Sequence, residues 1–353
     1  RATSASQFVL TAPLAAMLRT VATEMLGIDH PIVCGGMTAT GSAELAAGVS
    51  NAGCLGMLTC LHCKTPERLD EEIAKCRRLT SRPFAVNLTL LGEKRGAPEF
   101  PEGFVDVICR NGIQIVETCG GSITLMSNIH ERLRANGVKV IISKCVHVRS
   151  ALTAQDRLGS DMVSVMGFDS GGLPGEADVG IYVTLALAKK SLRIPFLASG
   201  GCGTGRQLVA ALALGAAGVQ VGTRFNATLE CNIFPPSFKE QMVKADDRST
   251  VMVMKPFKGS SRVFKNATAS EINRIEQEKG KKVSFQDIGS LVKFDLLMEG
   301  IAENNPDKGI WNCGQSVCLV DDIPTCKELV DRLIQEAREA MDELRPIFGS
   351  SKL

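Results

Sequence analysis

The sequence predicts an α/β fold: a TIM (β/α)8 barrel with a small, mainly helical second domain and a C-terminal helix that packs on the barrel. Eight short apolar runs, each followed by an amphipathic stretch or a loop, occupy residues 25–225. The runs are apolar at consecutive positions, which is typical of parallel strands covered by helices. Eight βα units within about 225 residues fit a barrel that typically needs about 250. A doubly wound sheet is the alternative, although it does not require eight units of such even length.

The eight predicted strands follow one another along the first two thirds of the chain. In order, they are PIVCGGM (31–37), CLGMLTC (54–60), PFAVNLTLL (83–91), IQIVETCGG (113–121), KVIISKC (139–145), DMVSVMG (161–167), IPFLASGG (194–201) and AGVQVGTRF (217–225). Amphipathic stretches between them are predicted as helices, for example PERLDEEIAKCRRL and GRQLVAALALG. The third strand is followed by a Gly/Pro-rich loop before its helix.

Beyond Phe225 the alternation stops, and residues 226–317 are predicted to form the small helical domain. SFKEQMVKADD and ASEINRIEQEKGKK are read there as helices. Residues 318–353 are the predicted C-terminal segment that returns to the barrel. The stretch 325–344 within it is predicted as one long helix, because apolar residues recur at helical spacing. They are Leu329, Leu333, Ile334, Ala337 and Met341.

Residues 1–24 are predicted as an N-terminal leader. Through residue 23 this segment holds Arg1 and Arg19, many Ser and Thr, and no acidic residue. Such a composition is similar to the tail of an organelle transit peptide, and a leader without any address is the alternative. The expected location is therefore intracellular, either cytoplasmic or mitochondrial.

Composition excludes several classes of protein. The chain has 353 residues, 44% of them hydrophobic and 22% charged, and a net charge of +2. That charge is too small to indicate a nucleic-acid or anionic-membrane partner, and no apolar run reaches the roughly 18–20 residues of a membrane span. Many of the 13 cysteines lie inside apolar runs, such as Cys34, Cys54 and Cys119. They are predicted to be free thiols in a reducing compartment.

Two glycine-rich segments predict a phosphate site. ASGGCGTG (198–205) follows the seventh strand and opens a helix, so Gly200, Gly201, Gly203 and Gly205 allow backbone N–H groups to turn toward an anion at the positive end of that helix. VGTR follows the eighth strand, where Gly222 and Thr223 supply a second half. Loops after strands seven and eight are the usual phosphate site of a TIM barrel. Two tight turns without a ligand are the alternative.

The ends of the other strands carry further candidate residues. They are Gly35, Gly36, Met37, Asn87, Glu117, Gly120, Gly121, Lys144, Asp169, Gly171 and Gly172. Lys144 ends the fifth strand in an otherwise apolar mouth, where burying an unpaired ammonium is costly. A cofactor that develops negative charge explains it; a lysine that reaches solvent is the alternative. Glycines allow a flat ring to lie over backbone, so the set predicts FMN.

Other chemistry has less support. CLHC (60–63) has no second Cys pair at zinc-finger spacing, so no metal is expected. His30 and His130 are predicted to be structural, whereas His62 and His147 follow strands and are candidates for polar lining of the mouth. The sequence contains neither a G-x-S-x-G nucleophile elbow nor a Walker A loop.

Several segments together resemble the nitronate monooxygenase family over about residues 25–345. They are PIVCGGMT, AELAAGVSNAGCLGMLT, PFAVNLTLL, GFDSGGLPGEADV, FLASGGCGTGRQLVAALALGAAGVQVGTRF and GQSVCLVDDIPTCKELVDRLIQEA. The family, formerly called 2-nitropropane dioxygenases, includes FMN-dependent enoyl-acyl-carrier-protein reductases and NADH:quinone reductases. The resemblance implies an FMN-binding TIM barrel with a small second domain.

The resemblance also implies roles for residues at matching positions. Gly36 and Met37 would line the flavin, and Asn87 and Lys144 would bond its polar edge. Asp169, Gly171 and Gly172 would flank the ring and ribityl chain, while Gly200, Gly201, Gly222 and Thr223 would hold the phosphate. The family loop usually reads Glu-Ala-Gly-Gly-His-x-Gly, with His as the base. Here Asp169, Ser170 and Leu173 stand for its Glu, Ala and His.

Loss of that base narrows the range of expected substrates but still allows flavin chemistry. A neutral nitroalkane must lose a proton, and a general base contributes about 10²- to 10⁴-fold, whereas a nitronate is already an anion. The sequence therefore predicts an FMN-dependent oxidoreductase that oxidises nitronates with O2, with Lys144 in an electrostatic role and the catalytic residue unassigned. One alternative is an NAD(P)H-dependent quinone or enoyl reductase that binds NAD(P)H transiently over the flavin. The other is a catalytically impaired flavin-binding or structural protein.

Overall fold

A closed barrel of eight parallel strands forms the centre of the protein in the computed structural model, which describes residues 18–90 and 102–347. The strands are β1 Ile32–Cys34, β2 Gly56–Thr59, β3 Phe84–Leu90, β4 Ile115–Gly120, β5 Val140–Cys145, β6 Met162–Met166, β7 Phe196–Ser199 and β8 Gly218–Val221. Pairing runs in chain order from β2 to β8, β8 pairs with β1, and a parallel bridge between Val33 and Leu55 closes the ring. The predicted TIM barrel is confirmed.

Burial explains why the strands have no hydrophobic alternation. β1, β2, β6, β7 and β8 are buried at every position. One face of each strand points into the barrel and the other meets the surrounding helices, so both faces leave water. All eight predicted runs contain their strand, although the observed strands are shorter.

Helices alternate with the strands around the barrel. They are α1 Val21–Leu26, α2 Ala43–Asn51, α3 Cys60–Cys63, α4 Pro66–Leu79, α5 Glu102–Arg110, α6 Ile123–Ala135, α7 Val148–Arg157, α8 Ile181–Ser191, α9 Gly205–Ala213 and α10 Thr223–Asn226. Local capping starts several of them: Thr65 accepts a hydrogen bond from the amide of Arg68, and Pro66 occupies the first turn of α4. Most of the Gly/Pro-rich loop after β3 lies outside the described residues.

The first residues that the structure describes pack against the base of the barrel. The Thr20 hydroxyl donates to the carbonyl of Ala217 at 2.6 Å, and Ala22 and Leu26 of α1 are buried. Residues 21–24, which were assigned to the predicted leader, therefore begin the first helix. Residues 1–17 of the predicted leader lie outside the described residues.

The smaller domain after Phe225 contains helices and one strand pair. Its helices are α11 Pro236–Val243, α12 Ala267–Lys279, α13 Phe285–Ile288 and α14 Phe294–Ala302. The sequence did not indicate the antiparallel pair of β9 Thr250–Val253 and β10 Ser261–Phe264. Behind β10, the rings of Phe264 and Trp311 stack with their centroids 4.3 Å apart, and Trp311 is buried.

The long C-terminal helix, α15 Cys326–Leu344, packs on the barrel as predicted. Thr325 and Glu328 form a capping box at its start. Its apolar face is buried against α9 and α2. Contact with α9 is so close that a Cβ on Gly205 would lie 2.0 Å from the carbonyl oxygen of Leu333. Only glycine fits the first turn of α9 here.

All thirteen cysteines lie within the described residues, and none is in a disulfide. Cys34 and Cys54 are buried core residues as expected, but Cys119 is only half-buried because it lies next to the last residue of β4, in the lining of a cavity. In the parts of the chain that are described, no helix has the length and apolar character needed to cross a membrane.

Candidate active site

A cavity of about 2020 Å³ opens at the carboxyl ends of the barrel strands. Function in TIM barrels lies at this end. The cavity brings together fourteen residues that the sequence singled out. They are Gly35, Gly36, Met37, Asn87, Gly120, Gly121, Lys144, His147, Gly171, Gly172, Leu173, Gly200, Gly222 and Thr223.

Two predicted cofactor residues, Asp169 and Gly201, are not in the cavity lining. The carboxylate of Asp169 accepts a hydrogen bond from the Ile181 amide at 2.9 Å. Gly180, at the N-cap of α8, has no side chain to provide this acceptor, so Asp169 caps the helix instead. Gly201 lies against Asp169: a Cβ on Gly201 would be 3.2 Å from the Asp169 Cβ.

The two predicted phosphate loops are built for close backbone approach. Gly200 has φ of +94°, and a Cβ there would lie 2.0 Å from Ser170 Oγ. Gly222 faces Met37 across the mouth, with 3.4 Å between its virtual Cβ and Met37 Sδ. Among the described residues, the amides of Gly200 and Gly201 have no protein acceptor. The two loops therefore form a cradle that is too tight for a side chain at Gly200 and open at Gly222, with amides that are unoccupied by protein groups, which fits a phosphate.

The N-terminus of α9 takes less part in this cradle than the sequence suggested. Gln207 Oε1 accepts from the amides of Gly203 and Thr204, at 2.8 and 3.1 Å. Glu336 of α15 accepts from the Gly205 amide at 2.7 Å. Because protein groups already occupy these donors, the amides left for an anion lie earlier in the loop.

Hydrogen bonds and close contacts from the second domain hold the glycine-rich loop that carries Leu173. Gly172 and Arg262 of β10 exchange two backbone hydrogen bonds, of 2.9 and 2.7 Å. A Cβ on Gly171 would lie 2.7 Å from the amide nitrogen of Gly314, whose N–H donates to Thr223 Oγ1 at 2.9 Å. The second domain therefore holds the loop, with half-buried Leu173, in the cavity wall.

A buried set of polar side chains, here called the floor network, lies beneath the mouth inside the barrel. Glu117 is fully buried and accepts a hydrogen bond from Asn87 Nδ2 at 2.7 Å and another from Gln220 Nε2. Ser164 donates to Gln220 Oε1 at 2.6 Å, and Thr89 donates to Asn87 Oδ1 at 2.7 Å. A carboxylate only accepts, so it fixes which way both amides face.

Asn87 and Gln220 line the cavity, whereas Glu117 lies behind them. Each amide oxygen accepts from a hydroxyl, and each NH2 group has one hydrogen directed at Glu117. One N–H remains on each amide for a ligand. Glu117 stands among the strand-end candidates without a predicted role, and Gln220 and Ser164 were not identified from the sequence. A polar residue inside each apolar strand was the available signal.

Lys144 provides a positive charge in the cavity lining. Within residues 18–90 and 102–347 it forms no salt bridge. A partly buried ammonium without a protein counter-ion is suited to a ligand that carries or develops negative charge. The predicted electrostatic role of Lys144 therefore fits its position.

His147 is the one histidine in the cavity lining, and all four histidines are among the described residues. Burial, and to a lesser extent Arg149, lowers its pKa, so its imidazole is neutral near pH 7. His62 is not in the lining and bonds the Ala39 carbonyl, at 2.9 Å. Burial raises the pKa of the cavity thiol Cys119 to about 11, so it is not a thiolate nucleophile.

Comparison with known proteins agrees with this geometry. The family model described as "Nitronate monooxygenase" matches residues 19–336. The chain belongs to the nitronate monooxygenase family. Members of this family are oxidoreductases and are generally flavin-dependent.

Individual relatives match nearly the whole chain. The (3aS,4S,5R,7aS)-5-hydroxy-7a-methyl-1-oxo-octahydro-1H-indene-4-carboxyl-CoA dehydrogenase of Rhodococcus jostii is 30% identical, over 93% of this chain and 98% of the relative. A probable nitronate monooxygenase of Staphylococcus saprophyticus is 26% identical, over 92% and 99%. The structure of FabK from Thermotoga maritima superposes with a TM-score of 0.83 at 32% identity, covering 94% and 99%.

Proposed function

We propose that this protein is an FMN-dependent oxidoreductase that acts on a bulky acyl thioester. The cavity volume of about 2020 Å³ is the observation that carries the proposal. Ligand pockets usually measure about 300–1,000 Å³. A cofactor on the barrel mouth therefore leaves far more room than a small nitronate fills.

The residues present fit FMN. The cradle at Gly200 and Gly222 would hold the phosphate, and Lys144 with the free N–H groups of Asn87 and Gln220 would meet the polar edge of the ring. When bound, FMN supplies hydride transfer to or from the substrate. FMN rather than FAD is favoured because the sequence shows no second nucleotide-binding unit.

Two residues above the floor network would serve the substrate. Leu173 offers an apolar surface that excludes water beside the reacting carbon. His147, neutral near pH 7, would accept a proton from the substrate or, when protonated, return one. Gly175, two residues after Leu173, lies against Val146: its virtual Cβ is 3.2 Å from Val146 Cβ. The two loops are therefore neighbours.

The name of one relative and the positive charge of the cavity lining both favour acyl thioesters over other bulky substrates. The R. jostii relative is named for a fused-ring carboxyl-CoA substrate. Five Lys and Arg side chains line the cavity against two acids, which suits the phosphates of such a carrier.

Nitronate oxidation with O2 is the second candidate, and Leu173 is the observation that favours it over nitroalkane oxidation. A nitronate needs no base, so an apolar residue at the family histidine position does not prevent its reaction. The family name and the S. saprophyticus relative support this candidate.

The test is anaerobic reduction and reoxidation of the purified protein. We expect flavin absorbance and FMN by mass after extraction. NADH or NADPH should bleach the flavin, and a 2-enoyl-CoA should restore its colour. Bleaching by propyl-2-nitronate with no response to the enoyl-CoA would favour the second candidate. A folded protein that takes up no flavin would contradict both and leave the non-catalytic alternative.

A further inference from the structure

The side of the cavity that faces the second domain differs from the barrel side. We call it the outer wall, and it consists of Lys64 after α3 together with Phe257, Lys258, Phe285, Lys293 and Phe294 of the second domain. None of these residues was assigned a function from the sequence. FMN bound as proposed would not need them, since barrel residues would hold its phosphate and its ring.

Positive charge is concentrated in the cavity. Its lining has the cations Lys64, Lys144, Arg149, Lys258 and Lys293 and the acids Glu176 and Asp295. The whole chain is almost balanced, with 40 basic and 38 acidic residues. Glu176 is already engaged, accepting from the amide and hydroxyl of Ser260 at 3.0 and 2.7 Å. The cavity therefore suits a ligand with several negative charges beyond those of the cofactor.

The outer wall also exposes aromatic rings. Phe285 is 54% exposed and meets Phe257 edge to face, with centroids 6.0 Å apart. Lys64 Nζ lies 5.4 Å from the centroid of Phe294. Lys64 also has φ of +65°, an uncommon conformation for a residue with a Cβ. Phe257, which contacts Phe285, directly precedes Lys258 in the chain, so the wall presents an exposed ring and a cation together, a combination suited to a base and its phosphates.

We propose that the outer wall binds the adenosine diphosphate group of the second ligand, with the adenine on Phe285 and the phosphates at Lys258 and Lys293. Coenzyme A and NAD(P)H share this group, so the wall would anchor either one while its reactive end reaches the floor. The inference rests on the proposed function, which requires one or both of these ligands.

The experiment titrates FMN-loaded protein with ADP by calorimetry. We expect saturable binding that Lys293→Glu weakens about tenfold and Phe285→Ala weakens by a similar factor. Both residues are exposed, so neither change removes a core contact. Lys190→Glu is the matched control, because Lys190 is an exposed lysine at the end of α8 outside the cavity.

Competition experiments identify which ligand, coenzyme A or NAD(P)H, provides the adenosine diphosphate group. Displacement of ADP by coenzyme A, by NADP+, or by both would support the site and name its occupant. Absence of ADP binding, or equal losses in K293E and K190E, would overturn it. Flavin content and bleaching by NAD(P)H are measured on the same samples. A flavoprotein that ignores ADP contradicts only this inference, whereas a flavin-free protein that binds ADP contradicts only the proposed function.

Discussion

The floor network and the outer wall line one cavity from opposite sides, and they differ in burial and in hydrogen bonding. Glu117 at the floor is fully buried, and both of its oxygens accept from side-chain amides. Phe285 and Lys293 at the outer wall are exposed. A buried, satisfied network holds one arrangement, whereas an exposed wall adapts to its ligand. The floor is therefore suited to a resident cofactor and the wall to a ligand that comes and goes.

The largest effect on the proposed cofactor site is expected when a charged side chain occupies the phosphate cradle. Gly222→Asp places a carboxylate where the phosphate is expected, so FMN affinity should fall more than 100-fold while the fold persists. Gly222→Ala is the matched control: its Cβ would contact only the Met37 side chain, at 3.4 Å from Sδ and 3.9 Å from Cγ, and affinity should change little. Flavin absorbance after desalting measures both. Equal FMN content in the two variants would place the phosphate elsewhere.

A change at Glu117 tests whether the floor is held as described. Glu117→Gln turns an NH2 group toward one of two other NH2 groups, which leaves buried donors unsatisfied at a cost of about 1–3 kcal/mol in the free energy of unfolding. FMN affinity should fall as well, because the amides of Asn87 and Gln220 lose their orientation.

Urea unfolding of the flavin-free protein and FMN titration measure the two effects separately. Glu276→Gln is the control, since Glu276 is a buried carboxylate in the second domain that accepts from the Met254 amide at 2.7 Å. Gln keeps an oxygen for that amide, and burial raises the pKa of the Glu276 carboxyl, so this change should lower stability less than E117Q does and leave FMN affinity unchanged. Unchanged FMN affinity in E117Q would show that Glu117 is structural only.

Lys144 tests the electrostatics of the floor. Lys144→Met should lower the flavin reduction potential, because the ammonium stabilises negative charge that appears on reduction, by on the order of 2 kcal/mol. The free energy of unfolding should change less, since Lys144 has no salt-bridge partner among the described residues. Potentiometric titration of both proteins gives the comparison. Equal potentials would place Lys144 away from the ring.

A substitution at Leu173 tests the side of the site opposite the floor network, and it has the smallest expected effect on the protein. Leu173→His restores a base at the family position, and turnover of neutral 2-nitropropane should rise about tenfold at pH 8. Turnover of its nitronate should change much less, because no proton has to leave. The two substrates are assayed in parallel in wild type and variant. Equal changes for both substrates would mean that residue 173 does not approach the reacting carbon.

The sequence was sufficient for the barrel because each strand is a short apolar run buried on both faces. It also identified the glycines, since close backbone approach restricts residue choice locally. It did not indicate the floor network, where Glu117 bonds Gln220 across 103 positions of sequence. Nor did it indicate that Asp169 caps α8, a role created by the missing side chain at Gly180. Such contacts depend on tertiary packing, which local pattern does not encode.

The contact between α15 and the first turn of α9 has a consequence for how the protein folds during synthesis on the ribosome. Glu336 completes the hydrogen bonding of the Gly205 amide, and Leu333 packs on the same glycine. Both residues are translated more than a hundred positions after β8 ends. A nascent chain that has already released all eight strands thus still lacks this support for the first turn of α9. We expect a chain that terminates before α15 to emerge as a barrel whose loop after β7 is poorly held, so that the proposed FMN would bind it weakly.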